Sequence, residues 1–104
     1  MKIKKSTRGL TFSLANEEVN NNISIGAKYR YFIDKNNKDI IIVLDKNGSN
    51  TVSRKKSGAS YKPLFDIRSE EVKQLVSSAD YIEIEVLDDK IVAHTYRAAK
   101  TSIF

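Results

Sequence analysis

A chain of 104 residues with formal net charge +5 holds one compact domain, or two small halves around a shared core, and is too short for two independent domains. Hydrophobic residues at 40% and charged residues at 30% exclude an intrinsically disordered chain, and the lack of Cys excludes a disulfide framework, a thiolate metal site and a cysteine nucleophile. No apolar run approaches the roughly 20 residues of a spanning helix, and no signal-peptide core follows the basic start "MKIKKSTRGL", so a cytoplasmic protein without a membrane segment is expected.

In chain order, residues 1 to 10 carry Lys2, Lys4, Lys5 and Arg8 with no acid. "LTFSL" then reads as a strand. Asn16 offers an N-cap for a short helix with Glu17 and Glu18 in its first turn, where the helix dipole favours acids, although Asn20, Asn21 and Asn22 are weak helix formers. "AKYRYFID", a turn at "KNNKD" and "IIIVL" read as a β-hairpin. The segment "DKNGSNTVSRKKSGAS", residues 45 to 60, is rich in Asn, Gly, Ser and Lys. Asn47 and Gly48 favour a tight turn with positive φ, and Thr51 to Ser53 can return as a strand. Beyond it Leu64 to Ile67 forms a strand, and Ser69 caps a helix carrying Glu70 and Glu71 in its first turn. The stripe Val72, Leu75, Val76 ends near Ser77 and Ser78. "DYIEIEVLDDKIVAHTY" closes the pattern as a hairpin, with Ile82, Ile84 and Val86 alternating against Glu83 and Glu85 and a turn at Asp88 and Asp89.

The second half restates the first. An offset of 53 residues puts Phe12 on Phe65, Leu14 on Ile67, Glu17 and Glu18 on Glu70 and Glu71, Val19 on Val72, and Ile23 on Val76. It also puts Tyr29, Tyr31 and Ile33 on Ile82, Ile84 and Val86, and each copy passes through the same local signals in the same order. The expected organisation is one domain over residues 1–104, with an internal repeat 1–44 and 54–97 joined by the basic segment 45–60. That segment is either a linker or a second basic arm, since the same offset drops Lys2 onto Lys55. A unit of one strand, one short helix and one hairpin has too little core to stand alone.

The stretches "RGLTFSLANEEVNNNISIGAKYRYFID" with "IIIV", and "YKPLFDIRSEEVKQLVSSADYIEIEV" with "KIVAH", resemble the SpoVT-AbrB and MazE-like family. The resemblance implies a mainly β fold with short helices, in which two strand-helix-hairpin copies interlock as a pseudo-dimeric swapped-hairpin barrel that binds DNA. The family's Gly-Asp before the hairpin is split here, as Gly26 with Ala27 in one copy and Ala79 with Asp80 in the other.

Charge placement points the same way. Two acid-free clusters, Lys2, Lys4, Lys5 and Arg8, and Arg54, Lys55, Lys56 and Lys62, hold eight of the eighteen bases. Such clusters neutralise phosphates, and Arg also reads guanine edges. Ser6, Thr7, Ser53, Ser57 and Ser60 add neutral donors for phosphate oxygens. These eight bases are the expected interface with double-stranded DNA, and Tyr61 is the stacking candidate, whereas Tyr29 and Tyr31 suit a core. A transcriptional regulator or a mobile-element accessory factor is the leading expectation.

No enzyme is expected, and no cofactor or metal. His94 is the only histidine and has no neighbouring carboxylate in sequence, Asp88 and Asp89 read as turn chemistry, Asp66 and Arg68 as a local ion pair, and phosphate-binding Gly-rich loops are lacking. Two alternatives stay open. One is an antitoxin-like or inhibitory module that docks a protein partner through an exposed "IIIVL" strand or a tail; the other is a winged helix with "YIEIEVLDDKIVAHTYR" as wing. Whether two such chains form a homodimer stays open as well.

Overall fold

The computed structural model describes residues 2–4, 7–15 and 23–97. In chain order they form β1 (Lys2–Lys4), β2 (Leu10–Ser13), β3 (Lys28–Asp34), β4 (Asp39–Leu44), β5 (Asn50–Thr51), β6 (Ser53–Ser57), β7 (Ser60–Ile67), α1 (Glu70–Ser77), β8 (Tyr81–Val86) and β9 (Ile91–Tyr96). The protein is mainly β. A six-stranded antiparallel sheet runs in the order β1-β8-β9-β4-β3-β5, and a three-stranded antiparallel sheet in the order β2-β7-β6. The closed barrel expected from sequence is not formed among the described residues. β1 and β5 stand at opposite edges of the larger sheet, and neither pairs with β2 or β6 of the smaller one.

Both hairpins follow from alternation of apolar and polar residues. In β8 Ile82 and Ile84 are buried while Glu83 and Glu85 face outward, and Ile40 and Ile42 supply the matching inner face of β4. At the β3–β4 turn the Asp34 carboxylate accepts from the Asn36 backbone N–H at 3.1 Å and from the Asn37 side-chain amide at 3.0 Å, the local bonding that makes Asp and Asn turn formers. The helix starts where Ser69 caps it, its hydroxyl accepting from the Val72 N–H at 3.4 Å, and it buries Val72 and Val76. The helix expected after Asn16 lies outside the described residues.

One apolar core joins the sheets. Leu10, Phe12, Phe65 and Ile67 come from the smaller sheet, and Tyr29, Ile40, Ile42, Ile82, Ile84 and Ile91 from the larger. Phe12 and Phe65 stack with ring centroids 5.1 Å apart, and Phe65 meets Tyr29 at 5.2 Å across the two layers. Burial raises the pKa of the Tyr29 hydroxyl, and the Asp66 charge adds to the shift.

The repeat can be checked against the registers. Phe12 faces Phe65 and Ile40 faces Ala93, each pair 53 residues apart. Within the hairpins, however, Ile33 faces Ile40 and Ile84 faces Ala93. The two strands of a hairpin therefore cannot both keep the offset: if Tyr29, Tyr31 and Ile33 lie on Ile82, Ile84 and Val86, then Ile40 lies on Ile91 at 51, and if Ile40 lies on Ala93, then Ile33 lies on Ile84 at 51. Six residues close the first hairpin beyond its Ile33–Ile40 pair and eight close the second beyond Ile84–Ala93, so the two hairpins differ in length.

Two further expectations change. "IIIVL" is not an exposed docking edge, because β4 lies between β3 and β9 with Ile40 and Ile42 buried. The β8–β9 hairpin is not a projecting wing either, since β1 flanks it on one side and β4 on the other.

Candidate nucleic-acid interface

The basic segment 45–60 is structured in part, holding β5, β6 and the start of β7. β6 and β7 form a hairpin whose two-residue loop is Gly58-Ala59, with Gly58 at φ +63°. Glycine at the first central position, followed by a residue of negative φ, is the type II′ turn, whose twist suits adjoining strands. The register sets Arg54 opposite Pro63, Lys55 opposite Lys62, Lys56 opposite Tyr61 and Ser57 opposite Ser60.

Pro63 explains why this hairpin leaves the sheet. Its carbonyl accepts from the Leu14 N–H at 3.1 Å, so its N and C=O side is the β2 side, and the missing proline N–H falls there rather than on the β6 ladder. The β2 ladder ends one residue away, at Ser13 opposite Leu64. Beyond the Leu14–Pro63 bond, residues 54–62 are paired, among the described residues, only within the β6–β7 hairpin, as a two-stranded ribbon.

Facing residues of an antiparallel pair share a side, so the ribbon has two unlike faces. One carries Arg54, Lys56, Tyr61 and Pro63. There the Arg54 guanidinium lies 4.7 Å from the centroid of Tyr61, whose side is half exposed. The other face carries Lys55 and Lys62 directly opposite each other. Like charges so placed are destabilising, and no acid occurs between Ser53 and Phe65 to offset them.

The N-terminal cluster is used differently. Lys2 lies on the edge strand β1 opposite Glu83, with its ammonium 4.2 Å from the Tyr81 ring centroid. Lys4 ends β1, and its side chain, like all of Lys5, lies outside the described residues. Arg8 stands in an exposed turn before β2. The expected pair of matching basic arms is thus one ribbon in the smaller sheet and one edge strand in the larger. The physical reason is pairing: β6 finds the extended start of β7, whereas Thr7 and Arg8 turn at the corresponding place.

The remaining candidates resolve into local structure. Arg68 pairs with Asp66 at 3.0 Å, and Asp66 also accepts from the Thr11 hydroxyl at 3.0 Å. Asp88 and Asp89 sit exposed in a turn closed by the Leu87 N–H donating to the Lys90 carbonyl at 2.8 Å. Tyr29 is buried and Tyr31 half-buried, as a core role requires, while Phe32 is half exposed.

His94 has carboxylate partners that its sequence neighbours did not reveal. Its Nδ1 is 3.2 Å from Asp39 and its Nε2 2.8 Å from Glu85. Partial burial opposes the charged imidazole, but the Glu85 and Asp39 carboxylates outweigh it, and the pKa is raised above 6.5. The usable signal was strand register, which sets Asp39 opposite His94 across β4 and β9 and Glu85 one diagonal step away on β8. Among the described residues no group of three or more His, Cys, Asp or Glu side chains is arranged to hold a metal ion.

Compared with protein-family models, curated proteins and solved structures, the chain matches none. Among the described residues, no helix is long and apolar enough to cross a membrane.

Proposed function

We propose that this is a cytoplasmic protein that binds double-stranded DNA, as a transcriptional regulator or mobile-element accessory factor, and that the β6–β7 ribbon is its principal contact. The observation that carries the reading is the ribbon itself: four bases, no acid and a tip of Ser57, Gly58, Ala59 and Ser60 on a two-stranded projection. Strands in a ribbon lie about 4.8 Å apart, and a major groove about 12 Å wide admits such a pair. The facing Lys55 and Lys62, unfavourable in the free protein, become favourable against a polyanion.

We further propose that the chain carries two copies of one strand-helix-hairpin unit about a pseudo-two-fold axis, in the manner of the SpoVT-AbrB and MazE-like family. The ladders support this. Around Phe12–Phe65, Thr11 faces Asp66 and Ser13 faces Leu64; around Ile40–Ala93, Asp39 faces His94 and Ile41 faces Val92. Both ladders contain a pair separated by 53, Phe12–Phe65 and Ile40–Ala93, as a two-fold axis through each ladder would require. The ribbon breaks this symmetry, so one arm reaches the duplex through β6 and β7 and the other half contributes the region of Lys2 and Arg8.

The test is fluorescence anisotropy with a labelled random-sequence duplex over a salt series. Each phosphate neutralised contributes roughly 0.9 to the slope of log affinity against log salt, so changing Lys55, Lys56 and Lys62 together to Gln should flatten the slope by about 2.7. Affinity for DNA unchanged by that variant would refute the ribbon as the interface.

A further inference from the structure

The two faces of the ribbon differ in the kind of base they carry and in how firmly each is held. On one face Arg54 stacks over Tyr61, and Pro63 stands directly opposite Arg54 on the neighbouring strand. A guanidinium laid on an aromatic ring keeps its planar fork of donors in a restricted orientation, which suits bidentate recognition of an acceptor pair. The O6 and N7 atoms of guanine in the major groove are such a pair. On the other face are Lys55 and Lys62 with Ser53, Ser57 and Ser60, flexible point charges and small hydroxyls that suit phosphate oxygens and carry no geometry for reading a base.

We propose that Arg54 is the specificity-determining residue of this interface and reads guanine, that Tyr61 is its positioning residue, and that Lys55 and Lys62 form a sequence-independent phosphate grip. The proposal rests on the reading of the ribbon as the DNA contact and assigns its two faces separate tasks. Three features of the fold favour the division. The alternation of an antiparallel pair forces Arg54 and Tyr61 to one side and both facing lysines to the other. The side of Arg54, Tyr61 and Pro63 continues along β7 into Phe65 and Ile67, which are core residues, and along β6 from buried Val52, so this face is tied to the rigid part of the molecule. Gly58 at the tip, at φ +63°, has open space where a Cβ would stand, so no other part of the protein crowds the turn.

The experiment is a selection of bound sequences from a random duplex pool with the wild-type protein, followed by anisotropy on one enriched duplex and on the unselected pool. Enriched sites should contain a fixed guanine, and replacing it by 7-deazaguanine, which lacks the N7 acceptor but still pairs, should weaken wild-type binding. Arg54→Lys keeps the charge and loses the fork. It should lower affinity for the enriched duplex by about 5- to 150-fold, one bidentate base contact, while pool affinity and salt slope stay within experimental error. Tyr61→Leu should reproduce part of that loss and Tyr61→Phe should not, a rescue that a structural role for the hydroxyl would not give. Lys55→Gln with Lys62→Gln should weaken enriched and pool duplexes by the same factor and flatten the salt slope by about 1.8. Every variant should stay folded, because the altered side chains lie on the ribbon and not in the core, with the midpoint raised slightly when Lys55 and Lys62 no longer repel and lowered slightly when Tyr61→Leu removes the contact with Arg54.

Equal losses on both duplexes for Arg54→Lys would make Arg54 a phosphate contact and overturn the division of faces, leaving DNA binding intact. A selection that enriches nothing would do the same. If the wild-type protein binds no duplex, the reading of the ribbon as a DNA contact falls with it.

Discussion

Phe65 is the residue on which the two sheets turn, and its removal gives the sharpest stability test. The ring is fully buried, stacked on Phe12 with 13° between planes and tilted against Tyr29 by 60°. Truncating a core Phe to Ala costs about 3–5 kcal/mol through lost transfer and a residual cavity. Each aromatic pair adds about 0.5–1.5 kcal/mol beyond area burial. Among the described residues Phe65→Ala loses two such pairs and Phe12→Ala one, so Phe65→Ala should be the costlier change by about 1 kcal/mol. Against a domain stability of about 5–15 kcal/mol, it leaves little margin.

Urea denaturation followed by circular dichroism measures the difference. Phe65→Leu, which keeps most of the volume and loses the rings' contact, should fold and fall between wild type and Phe65→Ala, so the comparison survives if the alanine variant is unfolded. Because the rings touch, the double change Phe12→Ala with Phe65→Ala should cost less than the sum of the singles by about 0.5–3 kcal/mol. A Phe12→Ala cost larger than that of Phe65→Ala, or strict additivity of the two, would refute the stacked arrangement at the centre of the β2–β7 ladder.

His94 gives a pH test. Its folded pKa is raised, so the bracket with Asp39 and Glu85 contributes stability fully below the ordinary imidazole pKa of about 6.5 and loses it as pH rises through the higher folded value; urea midpoints of His94→Asn should lack that fall. Gly48→Ala should destabilise by about 1–3 kcal/mol in the same assay, because a Cβ there would overlap the Tyr29 backbone carbonyl, whereas Ser49→Ala next to it, exposed, should stay within about 0.5 kcal/mol.

Local grammar was legible and pairing was not. Ser69, Glu70, Val72 and Val76 announced the helix, and alternation announced both hairpins, because capping and periodicity depend on near neighbours. The offset found Phe12 with Phe65, since both occupy the same place in the same local pattern. It could not show that the hairpins differ in length by two residues, so that one offset cannot serve both strands of each hairpin. Gly48 was expected to supply a positive φ, yet the positive-φ glycines are Gly9, Gly26 and Gly58, and Gly48 is needed for close approach to Tyr29. A turn motif in sequence does not say what backbone will lie against it. The ribbon was half legible: its bases were visible, but its strand pairing depends on Lys55 meeting Lys62 and on Pro63 ending the β2 ladder, both non-local facts.

The lysines of the ribbon have a competing structural explanation, because unpaired strand edges are commonly blunted by charge against association with other chains. Beyond Leu64 both β6 and β7 are such edges, and a charge on each would blunt them. Lys and Pro are the residues most used for that purpose, and Lys55, Lys62 and Pro63 fit it. A base on one strand facing an acid on the other would protect both edges and add about 0.2–1 kcal/mol of cross-strand attraction, while two facing bases incur repulsion of similar size. β1 shows the first solution in this same protein, where Lys2 on the edge faces Glu83. The ribbon has the second, with Lys55 against Lys62, Arg54 and Lys56 on the other face and no acid before Asp66. Edge protection accounts for the lysines and the proline; what it leaves open is why two bases face each other where an acid would serve at lower cost, and that facing pair is the feature the proposed polyanionic partner would explain.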